Sequence, residues 1–123
     1  MGPKVMIVDD SLMVRQLVNR ALTGAGFSVV EAQDGVDAVT KLAESPATAL
    51  VVLDVNMPNM GGMEFLENIR AKNEYASLPV VMLTTEGQPQ LMRRAKALGA
   101  KGWIVKPFKP DQLVAAVHKL TAS

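Results

Sequence analysis

The residues that could do chemistry stand at the ends of apolar runs. Asp9 and Asp10 follow the run at 5–8, Asp54 the run at 49–53, Thr84 and Thr85 the run at 78–83, and Lys106 the run at 102–105. Taken singly they are commonplace: an Asp after a strand is usually a helix cap, a Thr a loop hydroxyl, a Lys a solvated amine. Taken together they are three carboxylates, a hydroxyl and an ammonium, in a chain with no cysteine and a single histidine, His118. Carboxylates brought close raise one another's pKa and destabilise a fold unless a cation sits among them. A hard divalent cation does this best, and Mg2+ in particular, because it takes one or two carboxylates and a carbonyl and keeps waters that a phosphate can replace. In such a site the metal and Lys106 would neutralise the oxygens of a phosphoryl group and Thr84 would donate a hydrogen bond to one of them. Asp54 follows the most apolar run and is the candidate nucleophile, with an aspartyl phosphate as the product. No acyl-transfer triad is available.

For these residues to meet, the elements that carry them must share one edge of a sheet. Short apolar runs at 5–8, 27–30, 49–53, 78–83 and 102–105 alternate with segments of helical period, the pattern of repeated βα units around a parallel sheet. Ser11 is the expected cap of a helix with Val14, Leu17, Val18 and Ala21 inward, stopped at Gly24 and Gly26. Asp34-Gly35 opens a second helix with Ala38, Val39, Leu42 and Ala43 inward, closed at Ser45-Pro46. The segment 56–62 reads as a loop, and Phe65, Leu66 and Ile69 form the inward face of the helix that follows. A weaker fourth helix uses Leu91, Ala95 and Leu98 and ends at Gly99, while Pro110-Asp111 open a last one with Leu113, Ala116, Val117 and Leu120 inward. Five strands and five helices predict a doubly wound α/β fold, a five-stranded parallel sheet in the order 2-1-3-4-5, with strands one and three adjacent at the switch point. Ligands of such sheets bind at the carboxyl ends of the strands. That is where Asp9, Asp10, Asp54, Thr84 and Lys106 are expected.

Composition bounds the rest. The chain has 123 residues with 13 basic and 12 acidic side chains, which suits one domain spanning 1–123 and lacks the basic excess of a nucleic-acid binder. Residues 1–62 hold seven acids against four bases, and residues 63–123 five against nine, a split that matters only if the acids cluster. The first apolar run is too short, and too acidic just after it, for a signal peptide or a membrane span, so the expected address is the cytoplasm.

The segments Val-Asp-Asp-Ser, Leu-Asp-Val-Asn-Met-Pro, Leu-Thr-Thr-Glu and Val-Lys-Pro-Phe, in this order and at these strand ends, resemble the receiver domain of two-component response regulators over essentially the whole chain. The absence of residues for an effector domain makes the stand-alone chemotaxis type the nearer likeness. The resemblance implies that Asp54 accepts a phosphoryl group from the phosphohistidine of a CheA-like histidine kinase. It implies Mg2+ on Asp10, Asp54 and the backbone carbonyl of Asn56, with Asp9 reached through water. Thr84 and Trp103 would be the switch pair, the Lys106-Pro107 peptide would be cis, and Asn56 and Glu86 would flank the water that hydrolyses the phosphate. Output would be protein binding by a monomer at the face of the fourth helix, fifth strand and fifth helix, in the chemotaxis type to a flagellar motor switch protein. Trp103 departs from the usual Tyr or Phe, and its bulk and its indole N–H set its burial on activation apart from that pattern.

Rival readings are an Asp-nucleophile phosphatase of the haloacid dehalogenase type, a receiver excised from a larger regulator, and a flavin carrier of the same topology. The first needs a second acid two residues after the nucleophile, where Asn56 stands; the last is opposed by the acidic loops. Gly24-Ala25-Gly26 follows a helix and lacks the third glycine of a dinucleotide fingerprint. Arg93, Arg94, Lys96 and Lys101 form a basic patch suited to steering an acidic partner segment. Met57, Met60 and Met63 are expected to pack around the loop after Asp54, and His118 is expected to be a surface residue without a ligand role.

Overall fold

A computed structural model of the chain describes residues 2–57, 60–85 and 89–122. The strands are β1 (Lys4–Val8), β2 (Ser28–Ala32), β3 (Thr48–Asp54), β4 (Val80–Thr84) and β5 (Gly102–Val105), and the helices α1 (Leu12–Gly24), α2 (Gly35–Glu44), α3 (Gly62–Arg70), α4 (Pro89–Ala97) and α5 (Pro110–Thr121). All neighbouring strands pair in parallel, in the order β2-β1-β3-β4-β5. This is the expected doubly wound α/β fold.

The alternation of side chains along each strand divides the core in two. Met6, Val8, Val51, Leu53, Val80 and Met82 pack under α2, α3 and α4 with Leu42, Phe65, Leu66 and Ile69; Val5, Ile7, Leu50, Val52, Val81 and Leu83 pack under α1 and α5 with Val18, Leu22, Leu113 and Val117. Because β1, β3 and β4 are covered on both faces, they read as continuous apolar runs.

Two expected inward faces need correction. Leu17 is 42% exposed and Leu22 is wholly buried in its place. At about 100° per residue, Val14, Val18, Ala21 and Leu22 form one stripe, from whose centre at Val18 Leu17 stands a full step away. Ala43 is exposed for the same reason, one step past the buried Leu42. Strand limits also move: β2 begins after Phe27 and runs to Ala32, and β4 begins at Val80, leaving Pro79 outside, where its missing N–H removes no ladder bond. A short 3-10 turn at Asn73–Tyr75, without apolar period, was not expected.

The caps fall as the residue types require. Ser11 accepts the Val14 N–H at 3.2 Å and Asp34 accepts the Asp37 N–H at 2.8 Å. Gly26, at φ 98°, turns the chain after α1, so Gly24-Ala25-Gly26 is a helix stop.

Candidate functional site

The sheet order places Asp9 and Asp10, just after β1, beside Asp54, the last residue of β3. Oxygen atoms of Asp9, Asp10 and Asp54 all lie within 4.8 Å of one another. Thr84 ends β4, and its carbonyl accepts the Lys106 N–H at 2.6 Å, which brings the start of the β5–α5 connection to the same edge. The Lys106-Pro107 peptide is cis. Lys106 Nζ lies 2.7 Å from Asp9 Oδ2 and 3.4 Å from Asp54 Oδ1. Asp9, Asp10, Asp54, Thr84 and Lys106 therefore stand at one edge of the sheet, whereas Trp103 lies within β5 opposite Met82, two residues short of that edge. Glu86 lies outside the described residues.

Burial differs among the acids and assigns them different parts. Asp9 and Thr84 have no exposed surface, Asp54 has 3%, and Asp10 is exposed. Asp9 Oδ1 accepts the Ser11 N–H at 2.9 Å and its Oδ2 takes the ammonium, so this carboxylate is held by the protein on both oxygens. The Asp54 carboxylate has the Asn56 N–H at 3.4 Å and the same ammonium. The Asp10 side chain makes no hydrogen bond or ion pair among the described residues.

The electrostatics follow from three acids facing one base. Burial, and then the charge of Asp9, push the Asp54 carboxyl from 3.8 up to about 6, against the opposing pull of Lys106 and the Asn56 N–H. Burial by itself would lower the Lys106 pKa, but its hydrogen bond to Asp9 and the charges of Asp9 and Asp54 raise it above the ordinary lysine value. One ammonium therefore does not neutralise the cluster. The donors are all oxygen, two of them poorly solvated, and a hard divalent cation such as Mg2+ fits this set.

Around the site, Met63 is buried, and Met57 and Met60 pack on the same core. The Met60 carbonyl accepts the Gly35 N–H at 3.0 Å, which ties the loop after β3 to the start of α2. A Cβ on Gly62 would collide with the Asp54 carbonyl, so the start of α3 can lie this close to the strand end only as glycine. Trp103 is partly buried on β5 against the α4 side of the core, and its Nε1 is buried with no hydrogen-bond partner among the described residues. A crevice of about 310 Å3 between α4 and β5 is lined by Met92, Arg93, Lys96, Lys101 and Trp103. Arg94 turns to Glu67 on α3 at 2.6 Å, away from the other bases. His118 is exposed, its ring 5.1 Å from that of Phe27 in an edge contact.

Sequence reasoning passed over Arg15, whose Nη1 donates to the Asp9 carbonyl at 2.7 Å while its Nε meets Glu31 at 3.1 Å. The signal was weak, since one arginine on a helix looks like any solvated cation until β2 is laid beside α1.

The comparisons agree with this geometry. The family model of the response regulator receiver domain matches residues 5–118. The chain is 37% identical over 111 residues to chemotaxis protein CheY1 of Helicobacter pylori, covering 89% of this chain and 90% of that one. It is also 37% identical to a CheY homolog of Campylobacter jejuni, over 89% of this chain and 85% of the relative. Among solved structures it is similar to CheY4 of Vibrio cholerae, with TM-score 0.91 and 40% identity over 98% of this chain and 99% of that one. It is similar as well to a chain of the CheX-CheY-BeF3-Mg2+ complex of Borrelia burgdorferi, with TM-score 0.89 and 32% identity over 98% and 90% of the two chains. With its acidic cluster and lysine at the carboxyl edge of a 2-1-3-4-5 sheet, the chain belongs to the response regulator receiver domain family and is of the CheY chemotaxis type.

Proposed function

We propose that this chain, as one receiver unit over residues 1–123, is a phosphorylation-driven switch that accepts its phosphoryl group on Asp54. The observation that carries the reading is the convergence of a nearly buried Asp54, a second buried acid and Lys106 within 3.4 Å. The Asp54 carboxylate attacks the phosphorus of a phosphohistidine on a CheA-like histidine kinase. The P–N bond breaks, its electron pair returns to the imidazole nitrogen, and an aspartyl phosphate forms on Asp54.

Asp10, Asp54 and the backbone carbonyl of Asn56 would hold Mg2+ directly, and Asp9, whose oxygens are already taken by Ser11 and Lys106, would reach it through water. When bound, Mg2+ supplies neutralisation of the phosphoryl oxygens and of the acid cluster. Lys106 adds a fixed positive charge from the β5 side, and the Thr84 hydroxyl donates to a phosphoryl oxygen. The protein accelerates only its own phosphorylation and dephosphorylation. Asn56 and Glu86 position the water for the latter, which keeps the phosphate short-lived.

Trp103 couples the site to output, because it shares β5 with the approach to Lys106 and borders the crevice under α4. The α4-β5-α5 face then binds a partner reversibly, in the chemotaxis setting a flagellar motor switch protein. No described helix is long and apolar enough to cross a membrane, and we place the working form in the cytoplasm as a monomer without nucleic acid.

Acetyl phosphate with Mg2+ tests the reading, followed by intact mass and by the fluorescence of Trp103, the single tryptophan. Wild type should gain one phosphoryl group and Asp54→Asn none. No gain, or an equal gain in both, would sink the proposal.

A further inference from the structure

Asp9 is engaged at every polar atom. Its N–H donates to the Ala32 carbonyl at 3.1 Å, its two carboxylate oxygens take the Ser11 N–H and the Lys106 ammonium, and its carbonyl accepts from Arg15 Nη1 at 2.7 Å. Asp10, one residue on, has a side chain with none of these ties. A single peptide group joins the two acids, and its oxygen is the atom that Arg15 holds. The plane of that peptide sets ψ of Asp9 and φ of Asp10, and with them the direction in which the Asp10 side chain leaves the backbone.

Arg15 is itself fixed from the far side. Its Nε donates to Glu31 Oε1 at 3.1 Å, and Asn19 Nδ2 donates to Glu31 Oε2 at 2.8 Å. The Thr23 hydroxyl donates to Asn19 Oδ1 at 2.9 Å, which sets which way the Asn19 amide faces. Lys41 Nζ donates to the Glu31 carbonyl at 2.6 Å, so Glu31 is held at both its backbone and its carboxylate. A guanidinium carries its donors in a rigid plane. Fixing Nε on Glu31 therefore fixes where Nη1 can point, and it points at the Asp9 carbonyl.

We infer that Arg15, oriented by Glu31 and Asn19, is a positioning residue for the cation site, locking the Asp9–Asp10 peptide so that the Asp10 carboxylate stays beside Asp54 with its lone pairs free. The inference rests on the reading that Asp10 and Asp54 hold a divalent cation. Its sign separates it from plain electrostatics: a nearby positive charge repels a divalent ion, so charge alone makes binding tighter when Arg15 is removed. Positioning makes it weaker.

Mn2+, a hard divalent ion visible by electron paramagnetic resonance, serves as the probe. It is titrated into wild type, Arg15→Gln, Glu31→Gln, the double variant and Arg20→Gln, and urea unfolding of each metal-free protein is measured alongside. Arg15→Gln should weaken Mn2+ binding about tenfold, the usual scale for losing a group that orients a ligand. Glu31→Gln should weaken it less, and the double variant should be no weaker than Arg15→Gln, because the two residues act through one chain of contacts. Arg20→Gln, which removes the same charge from an exposed position on α1, should bind unchanged or slightly more tightly. Unchanged or tighter binding by Arg15→Gln, or additive losses in the double variant, would overturn the inference and leave the functional reading standing. Absence of Mn2+ binding by wild type would overturn both. If Arg15→Gln does not fold, Arg15→Lys, whose ammonium can reach one of the two acceptors but cannot bridge them, is judged by the same criteria.

Discussion

Replacing Asp54 by Asn should make the metal-free protein more stable at neutral and alkaline pH, although it removes the phosphoacceptor we propose. Asp54 is 3% exposed and its carboxyl is raised from 3.8 to about 6. A carboxyl whose folded pKa lies above its unfolded value favours the fold when protonated, and that advantage is lost as pH rises from 3.8 through about 6. At ~1.4 kcal/mol per pH unit, ionised Asp54 costs the fold about 3 kcal/mol near pH 8. Asn has the same shape and no charge, but it gives up the ammonium at 3.4 Å and weakens the contact with the Asn56 N–H. The expected net gain is about 1–3 kcal/mol, or a Tm rise of roughly 4–12 °C. The measurement is urea unfolding in a chelator, followed by Trp103 fluorescence, near pH 8 and again near pH 4.5. The midpoint should rise without a change in slope, and the gain should shrink by about 2 kcal/mol at the lower pH, where wild-type Asp54 is protonated. Mg2+ should stabilise wild type and do so far less in the variant. A variant no more stable than wild type near pH 8, or one whose gain is equal at both pH values, would refute the argument that Asp54 is a buried charge short of a counter-ion.

The opposite result is expected at Lys106. Lys106→Met leaves Asp9, which has no exposed surface, without the ammonium at 2.7 Å, and should cost about 3 kcal/mol near pH 8 by urea unfolding, less as acid protonates Asp54; a loss below about 1 kcal/mol would show the pair to be dispensable. Gly62→Ala puts a methyl against the Asp54 carbonyl and the Val55 Cα, whereas Gly24→Ala meets nothing within 4 Å. The first should destabilise by about 2 kcal/mol or more and the second should stabilise by about 0.5 kcal/mol; equal effects in the two would contradict the backbone crowding at α3. Trp103→Phe removes a buried N–H that has no partner among the described residues, so by far-ultraviolet circular dichroism it should lose less than about 1 kcal/mol despite its smaller ring. A loss above about 2 kcal/mol would mean that the indole packs too well to be an unsatisfied group.

Much of this protein is legible in one dimension because its signals are local. Continuous apolar runs mark strands buried on both faces, Ser11 and Asp34 mark helix starts, and a doubly wound sheet sends whatever stands at its strand ends to one edge. The acids and Lys106 could be placed together on that reasoning alone. What periodicity could not resolve is which flank of an amphipathic helix turns inward, since Leu17 and Leu22 are equally apolar and only the sheet beneath α1 selects between them.

Tertiary structure decided how the members of the site differ. Asp9 and Asp10 are identical in type and adjacent in the chain, yet one is wholly buried and engaged at every polar atom and the other is exposed, its side chain without a partner among the described residues, because the bend between β1 and α1 turns one side chain toward Lys106 and the other toward solvent. Arg15 gained its place at the Asp9 carbonyl from a carboxylate on a neighbouring strand, and the raised pKa of Asp54 came from burial beside Asp9. Residue types and local period fix which groups can reach the carboxyl edge. Distance, desolvation and hydrogen-bond saturation depend on contacts between residues far apart in the chain, so only the folded arrangement sets which carboxylate is structural, which is left to bind, and which carries an unneutralised charge.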